Sequence, residues 1–241
     1  MLNLNQPISR LEKTGAESIL EFIETPTPKQ ITKEDGERCY VVDGEPYPSI
    51  TTIMSWYKKD VLDKWRKRVG EEEANRISTY ASNIGTPLHD LCEHYLRNDS
   101  VYHENVTIWK LFKKIEPTLR NINNIKILEG KLLSRKLKVA GTTDCLAFYK
   151  GILSVIDFKT SGKIKKEEWI DSYFMQTCFY AMCYYELTGI LPKQLVIMIA
   201  GDYYPQIFVK KTVDWIEPTV KVIKDYHRTH DVRAIFEGFL E

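Results

Sequence analysis

The sequence predicts a mixed α/β protein, with one central β-sheet and helices packed against it. Two observations carry that expectation. Helical-period apolar patterns and short β-rich runs follow one another in the order helices, strands, helix, strands, helix, which is the order of a sheet covered by helices. The chain of 241 residues is 43% hydrophobic and 12% aromatic, enough to bury the core of one large domain.

Each element has its own signal. Residues 1–36 are mixed and polar, and the Thr-Pro-Thr-Pro run from Thr25 predicts an extended linker, so this part reads as an N-terminal extension. Residues 39–42 and 45–47 flank Asp43-Gly44, a hairpin turn that favours φ > 0. Pro48-Ser49 leads into a helix over 51–57. A second helix is expected from Asp60, as N-cap, to about Gly70, and a third over 71–83. Thr86 and Pro87 read as an N-cap and first-turn pair that opens a new helix to Arg97, with Asn98 ending it. Residues 106–118 carry Ile108, Leu111, Ile115 and Leu119 at helical spacing. Strands are expected at 125–128 and 132–139, feeding a hairpin over 143–159. A long helix over 167–187 is closed by Gly189, strands follow at 194–200 and 206–210, and a last helix spans 213–228. No internal repeat or low-complexity segment occurs.

Composition narrows the function classes. The 34 basic and 33 acidic residues leave a net charge of +1, so only local clusters can speak for an anionic partner. The longest apolar run, near 195–200, is far too short to span a bilayer. The N-terminus has neither the apolar core of a signal peptide nor the Arg-rich, acid-poor character of a transit peptide, so a cytoplasmic location is expected. The cysteines at 39, 92, 145, 178 and 183 form no CxxC and sit among apolar neighbours. They read as reduced core thiols, and zinc and iron–sulfur sites are not expected.

The chemistry concentrates in the hairpin from Gly141 to Gly162. With Lys150-Gly151 as a two-residue turn, Tyr149 pairs with Ile152, and counting outward sets Asp144 opposite Asp157. Directly opposed side chains lie roughly 5 Å apart on one sheet face. Two carboxylates there repel each other among apolar neighbours, and a divalent cation removes the conflict. Lys159, two residues past Asp157, projects from the same face. Two carboxylates and an ammonium on one patch point to metal-assisted attack on a phosphodiester. A one-residue slip of register would send the aspartates to opposite faces, leaving an ordinary amphipathic hairpin.

Other residues add to this centre. His89 and Glu93 stack one turn apart on the shoulder of the stripe formed by Leu88, Leu91, Cys92, Tyr95 and Leu96, where they either face a site or form a surface helix pair. Gln176 and Tyr180 are one turn apart on the helix over 167–187, with Trp169, Tyr173 and Tyr184 continuing that face. They read as either a phosphate- and base-contacting stripe or an aromatic core face. Residues 56–68 carry six basic against two acidic side chains, interleaved with Trp56, Tyr57 and Trp65. Trp65, Arg66, Lys67 and Arg68 are the candidates there for contact with a single-stranded nucleic acid, the alternative being a solvated helix face. Further basic clusters, at Lys131, Arg135, Lys136 and Lys138 and at Lys163, Lys165 and Lys166, flank the hairpin.

The order His89, then Gly141-Thr-Thr-Asp144, then Asp157-Phe-Lys159, then Gln176-x-x-x-Tyr180 resembles the RecB-like branch of the PD-(D/E)XK nucleases. Tyr47-Pro-Ser-Ile-Thr51, the helix with Leu62-Asp-Lys-Trp65, and Gly85-Thr-Pro-Leu-His89 are similar to the mitochondrial genome maintenance exonucleases and related phage exonucleases. The resemblance runs from about Val41 to the last helix. It implies a restriction-endonuclease-like core in a single domain over 37–241, mainly helical over 37–120 and catalytic over 121–241. It implies a Mg²⁺- or Mn²⁺-dependent deoxyribonuclease that acts on DNA, often single-stranded and from ends, in replication, recombination or repair. Asp144, Asp157 and His89 would then ligate the metal, Lys159 would position or activate the attacking water and stabilise the transition state, and Gln176 and Tyr180 would contact substrate. Glu129 corresponds loosely to an acidic residue before the hairpin in some members. No helicase motif is present, so the expected partner is DNA, with any helicase, polymerase or single-strand-binding protein separate. The alternative is a catalytically silent nucleic-acid-binding module that retains the fold.

Overall fold

The structure, a computed structural model, describes residues 6–33 and 36–230. The remaining parts of the expected extension and of the expected domain's C-terminal end lie outside the described residues. The first elements are α1 (Arg10–Thr14), β1 (Lys29–Thr32), β2 (Arg38–Val42) and β3 (Glu45–Pro48), followed by α2 (Ile50–Tyr57), α3 (Lys59–Val69), α4 (Glu71–Leu96) and α5 (Val106–Leu119). Then come β4 (Ile122–Ser134), β5 (Val139–Tyr149), β6 (Ile152–Ser161), α6 (Asp171–Thr188), β7 (Gln194–Gly201), β8 (Gln206–Lys211) and α7 (Ile216–His230). Five strands form a mixed sheet in the order β4-β5-β6-β7-β8, in which only β6 and β7 run parallel. The strands β1-β2-β3 make a separate small antiparallel sheet. This is the α/β architecture that the sequence predicts. No helix among the described residues is long and apolar enough to cross a membrane.

The sheet is buried on both faces. Cys145, Ala147, Ile156 and Phe158 pack with Leu88, Tyr95, Phe112 and Ile115 of α4 and α5. Leu146, Val155, Ile197 and Ile199 pack with Phe174, Cys178 and Phe179 of α6, with Ile50 and Ile53 of α2, and with Ile223 of α7. Alternation along each strand thus feeds two cores. All five cysteines are free and buried, inside these cores or beside them.

Local chemistry accounts for most boundaries. Asp43 and Gly44 take φ 51° and 84°, and Lys150 and Gly151 take 49° and 81°, so both hairpins turn on two left-handed residues as expected. Ser49 caps α2 by accepting from Thr51 N, and Gly189, at φ 76°, ends α6.

Three expectations are corrected. Thr86 and Pro87 do not start a helix; α4 is one helix of 26 residues with Pro87 inside it. Buried Ile84 lies one turn before Leu88, so the apolar stripe crosses the proline and tertiary burial holds the helix together. Asp60 is not an N-cap but lies in the first turn of α3. The strand expected over 132–139 is instead the end of β4, a turn at 135–138 and the start of β5. Within the part read as an N-terminal extension, residues 8–23 are tied to the rest of the fold. Leu20 bridges Ile125 in parallel, with Glu21 N and Ile23 N donating to the carbonyls of Ile125 and Lys126 at 2.8 and 3.0 Å. Buried Arg10 donates to the carbonyls of Leu119, Arg120 and Ile122.

Candidate active site

The β5–β6 ladder keeps the register set by its turn, Tyr149 with Ile152 through Cys145 with Ile156. One step further, Asp144 and Asp157 fall opposite each other, where the ladder stops. On the other side of β5, Leu128 pairs with Cys145 and Gly130 with Thr143, which sets Glu129 opposite Asp144. Glu129, Asp144 and Asp157 therefore form one row across β4, β5 and β6. Glu129 takes a left-handed φ of 48° inside its strand, a conformation uncommon for a non-glycine residue and often kept at functional sites.

His89 reaches this row from α4. Its Nδ1 is 3.5 Å from Asp144 Oδ2, and its ring meets Phe158 edge-on at 6.2 Å between centroids. One ligand atom each from His89, Glu129 and Asp144 lie within 4.8 Å of one another. Asp144 is held by Phe158 N, which donates to Oδ2 at 2.7 Å. That bond spans the point where the ladder opens.

Asp157 is 2% exposed. Lys159 Nζ donates to its Oδ1 at 2.7 Å and lies 2.6 Å from Oδ2, which has no hydrogen bond among the described residues. Lys159 also sits over the Tyr173 ring at 5.2 Å. Burial pushes the Asp157 carboxyl up, and Lys159 only partly offsets this. Burial alone would lower Lys159, but Asp157 and then Asp144 more than reverse it, so the ammonium keeps its proton. Glu129 is open to solvent on one side. Crowding of its carboxyl by the protein, and then repulsion from Asp144, Glu93, Asp90 and Asp157, push it up to about 8. An imidazole and two carboxylates around one point, His89, Glu129 and Asp144, with the Glu129 carboxyl pushed up by crowding and by its acidic neighbours, fit a divalent cation.

The structure brings His89, Glu129, Asp144, Asp157 and Lys159 together. The two-aspartate reading of the sequence underrated Glu129, whose signal was its register opposite Asp144. Asp157, expected as a ligand, is engaged by Lys159. Glu93 is a helix partner of Arg97, Oε1 to Nη2 at 2.8 Å. Tyr180 is 1% exposed, and its ring packs so closely on β5 that a Cβ at Gly141 would lie 2.7 Å from its Oη. It offers no face to a base, because α6 is buried on most sides. Burial, and then Asp144 and Asp157, hold its hydroxyl well above its ordinary pKa against a smaller pull from half-buried Gln176. Trp56 packs edge-on against Tyr226 and His230, so it too belongs to the core and is not a free base platform. In α3, Arg66 is tied to Glu71 and Asn75, Lys67 and Arg68 are exposed, and Trp65 is half-buried.

The chain is 29% identical over 129 residues to mitochondrial genome maintenance exonuclease 1 of Homo sapiens, and 31% identical over 132 residues to that of Mus musculus. Each match takes in 49% of this chain and 38% of the relative, so this chain spans well under half of the relatives' length. Over that stretch it is related to proteins named as exonucleases. The solved structure of SSO0001 aligns over 79% of both chains at 13% identity with a TM-score of 0.43. No family model matches the chain.

Proposed function

We infer that this protein is a divalent-metal-dependent DNA exonuclease of the PD-(D/E)XK type, built on a restriction-endonuclease-like core. The observation that carries this reading is the row of Glu129, Asp144 and Asp157 with His89 and Lys159 around it. The similarity to proteins named as exonucleases supports it. His89, Glu129 and Asp144 are the ligands we assign to Mg²⁺ or Mn²⁺, with Asp157 beside them. When bound there, the cation supplies charge neutralisation at the phosphate and a more acidic water.

The chain's own residues do the rest. Phe158 N fixes Asp144, so one carboxylate orientation is built in before any ligand arrives. Asp157 holds Lys159 as a charged ammonium beside the row, and that charge stabilises the oxyanion that develops on the scissile phosphate. In the metal-free site Asp157 and Asp144 keep the proton on Lys159, so we assign it the electrostatic role. No side chain at the row is a candidate covalent nucleophile, since burial pushes the thiol of Cys92 up and that of Cys145 well up. We assign the substrate as single-stranded DNA with a free end, on the exposed cations of α3 and its Trp65.

End-labelled linear and circular single strands and blunt duplex, each with Mg²⁺, Mn²⁺ or chelator, test the reading. Metal-dependent loss of linear single strand with circles intact is expected. Equal cutting of circles makes it an endonuclease, and no cutting with either metal overturns the enzyme reading.

A further inference from the structure

A groove of about 450 Å³ lies between α3, α4 and α5 on one side and the loop after β6 on the other, within the size range of ligand sites. Trp65, Ile77, Tyr80 and Leu111 line it from the helices, and Lys163 and Lys165 line it from the loop. It lies one residue along β6 and one turn along α4 from the candidate active site. Thr160, in its wall, follows Lys159 directly. Gly85, one turn before His89, lies against Thr160, whose Oγ1 is 3.6 Å from where a Cβ on that glycine would sit.

Its wall is core at Leu111 and Ile84, but its aromatic and basic side chains are left without polar or ring partners among the described residues. Tyr80 is 60% exposed, and neither Tyr80 nor Trp65 has a hydrogen bond or a ring partner among the described residues. Aromatic faces rimmed by charge mark a binding surface more than a packing one. Lys163 and Lys165 form no ion pair among the described residues, yet the loop that carries them is fixed. Ser161 Oγ donates to Lys163 O at 2.6 Å and accepts from Lys163 N at 3.2 Å. The Gln206 side chain bonds both N and O of Lys165 at 2.8 Å. The lysines are thus presented on a prearranged backbone.

We propose that this groove is a base-stacking subsite, in which Trp65 and Tyr80 hold unpaired nucleobases of the DNA strand whose phosphodiester lies at the carboxylate row, while Lys163 and Lys165 take its phosphates. This rests on the functional reading above and adds Tyr80, Lys163 and Lys165 to the residues that select the substrate. Two aromatic faces suit any base, because every base has a π-face. The ammonium groups on the facing loop supply the charge that a phosphate backbone needs. Asp202, also in the wall, repels phosphate and leaves its end of the groove to neutral bases. Paired bases cannot reach these rings.

The full chain, in chelator so that nothing is cut, is titrated with a fluorescent oligothymidylate and with an abasic strand of the same length. The abasic strand should bind about five- to 150-fold more weakly, from the roughly 1–3 kcal/mol of one stacked base. Tyr80→Leu should lose about fivefold or more on the normal strand and nothing on the abasic one, while Tyr80→Phe keeps the wild-type preference. Lys163→Ala and Lys165→Ala should weaken both strands alike, each reducing the salt slope by about 0.7. Because Tyr80 is exposed, its variants should melt with the wild type. Equal wild-type affinity for both strands, or a Tyr80→Leu loss shared by both, overturns the subsite. Cleavage with metal is read separately: cleavage without base preference removes the subsite and keeps the exonuclease, and base preference without cleavage does the reverse.

Discussion

Asp157 and Lys159 are a buried ion pair on which stability and the proposed chemistry both depend. Losing either partner leaves a buried charge alone, at a cost toward the lower end of roughly 3–5 kcal/mol because the Lys159 side chain is 22% exposed. Asp157→Asn and Lys159→Ala should therefore lower the melting temperature. The double change Asp157→Asn with Lys159→Met should recover much of that loss while activity stays absent. Asp144→Asn, Asp157→Asn and Lys159→Ala should each cut turnover at least about a hundredfold, and near-normal turnover in any of them removes that residue from the mechanism. Gly141 and Tyr180 make a second residue-scale case. Gly141→Ala forces its methyl against the Tyr180 ring and should destabilise by about 1–3 kcal/mol. Tyr180→Phe removes a buried hydroxyl that lacks a hydrogen bond, so thermal melts should show little loss or a gain. It should also partly relieve Gly141→Ala. A large activity loss in Tyr180→Phe with unchanged stability would instead make this hydroxyl a substrate contact.

At the scale of elements, the sheet was legible in the sequence and the helical part less so. Hairpin turns at Asp43-Gly44 and Lys150-Gly151 are local, and local chemistry fixes register, so the opposition of Asp144 and Asp157 could be counted out from the turn. The row's third member was missed because residues 135–138, the turn from which the β4–β5 register counts out, read as part of one strand over 132–139. The Gln176–Tyr180 stripe looked functional because helical spacing does not tell an aromatic core face from an exposed one. The Thr86-Pro87 start was wrong for a related reason, since capping signals are local and the Ile84–Leu88 stripe that overrides them is buried tertiary packing. That difference is measurable. Inside a continuous helix Pro87 lacks a hydrogen bond and its ring strains the preceding turn. Pro87→Ala should raise the melting temperature, in proportion to some part of the roughly 3 kcal/mol proline penalty. Had Pro87 been the first residue of a new helix, the same change would be neutral or destabilising.

On the scale of the whole molecule, residues that read as a polar extension tie the two ends of the helical layer to the sheet. Arg10 is buried against the α5–β4 corner, where Tyr95 donates to Glu116 Oε1 and Arg120 chelates the same carboxylate at 2.7 and 2.9 Å. Burial pushes Glu116 up, but the hydrogen bonds from Arg120 and Tyr95 together outweigh it and leave the carboxyl below its ordinary value. The sign of the pH effect follows. A carboxyl with a depressed folded pKa contributes stability above its unfolded value, about 4.3, and loses it as pH falls through the folded one. Thermal stability should then be flat near neutrality, as far as this group is concerned, and decline below about pH 4. Protonated Glu116 no longer balances Arg10 and Arg120, so the corner that holds residues 8–23 loosens as acid is added. Glu116→Gln should lower the melting temperature at neutral pH and flatten its decline below about pH 4, because the neutral amide has no proton to gain. Arg10→Met should be destabilising at every pH, since it orphans three carbonyls rather than removing a titrating group. Melting curves of the three proteins across that range separate the contributions, and a Glu116→Gln profile parallel to wild type assigns the acid sensitivity to other carboxylates.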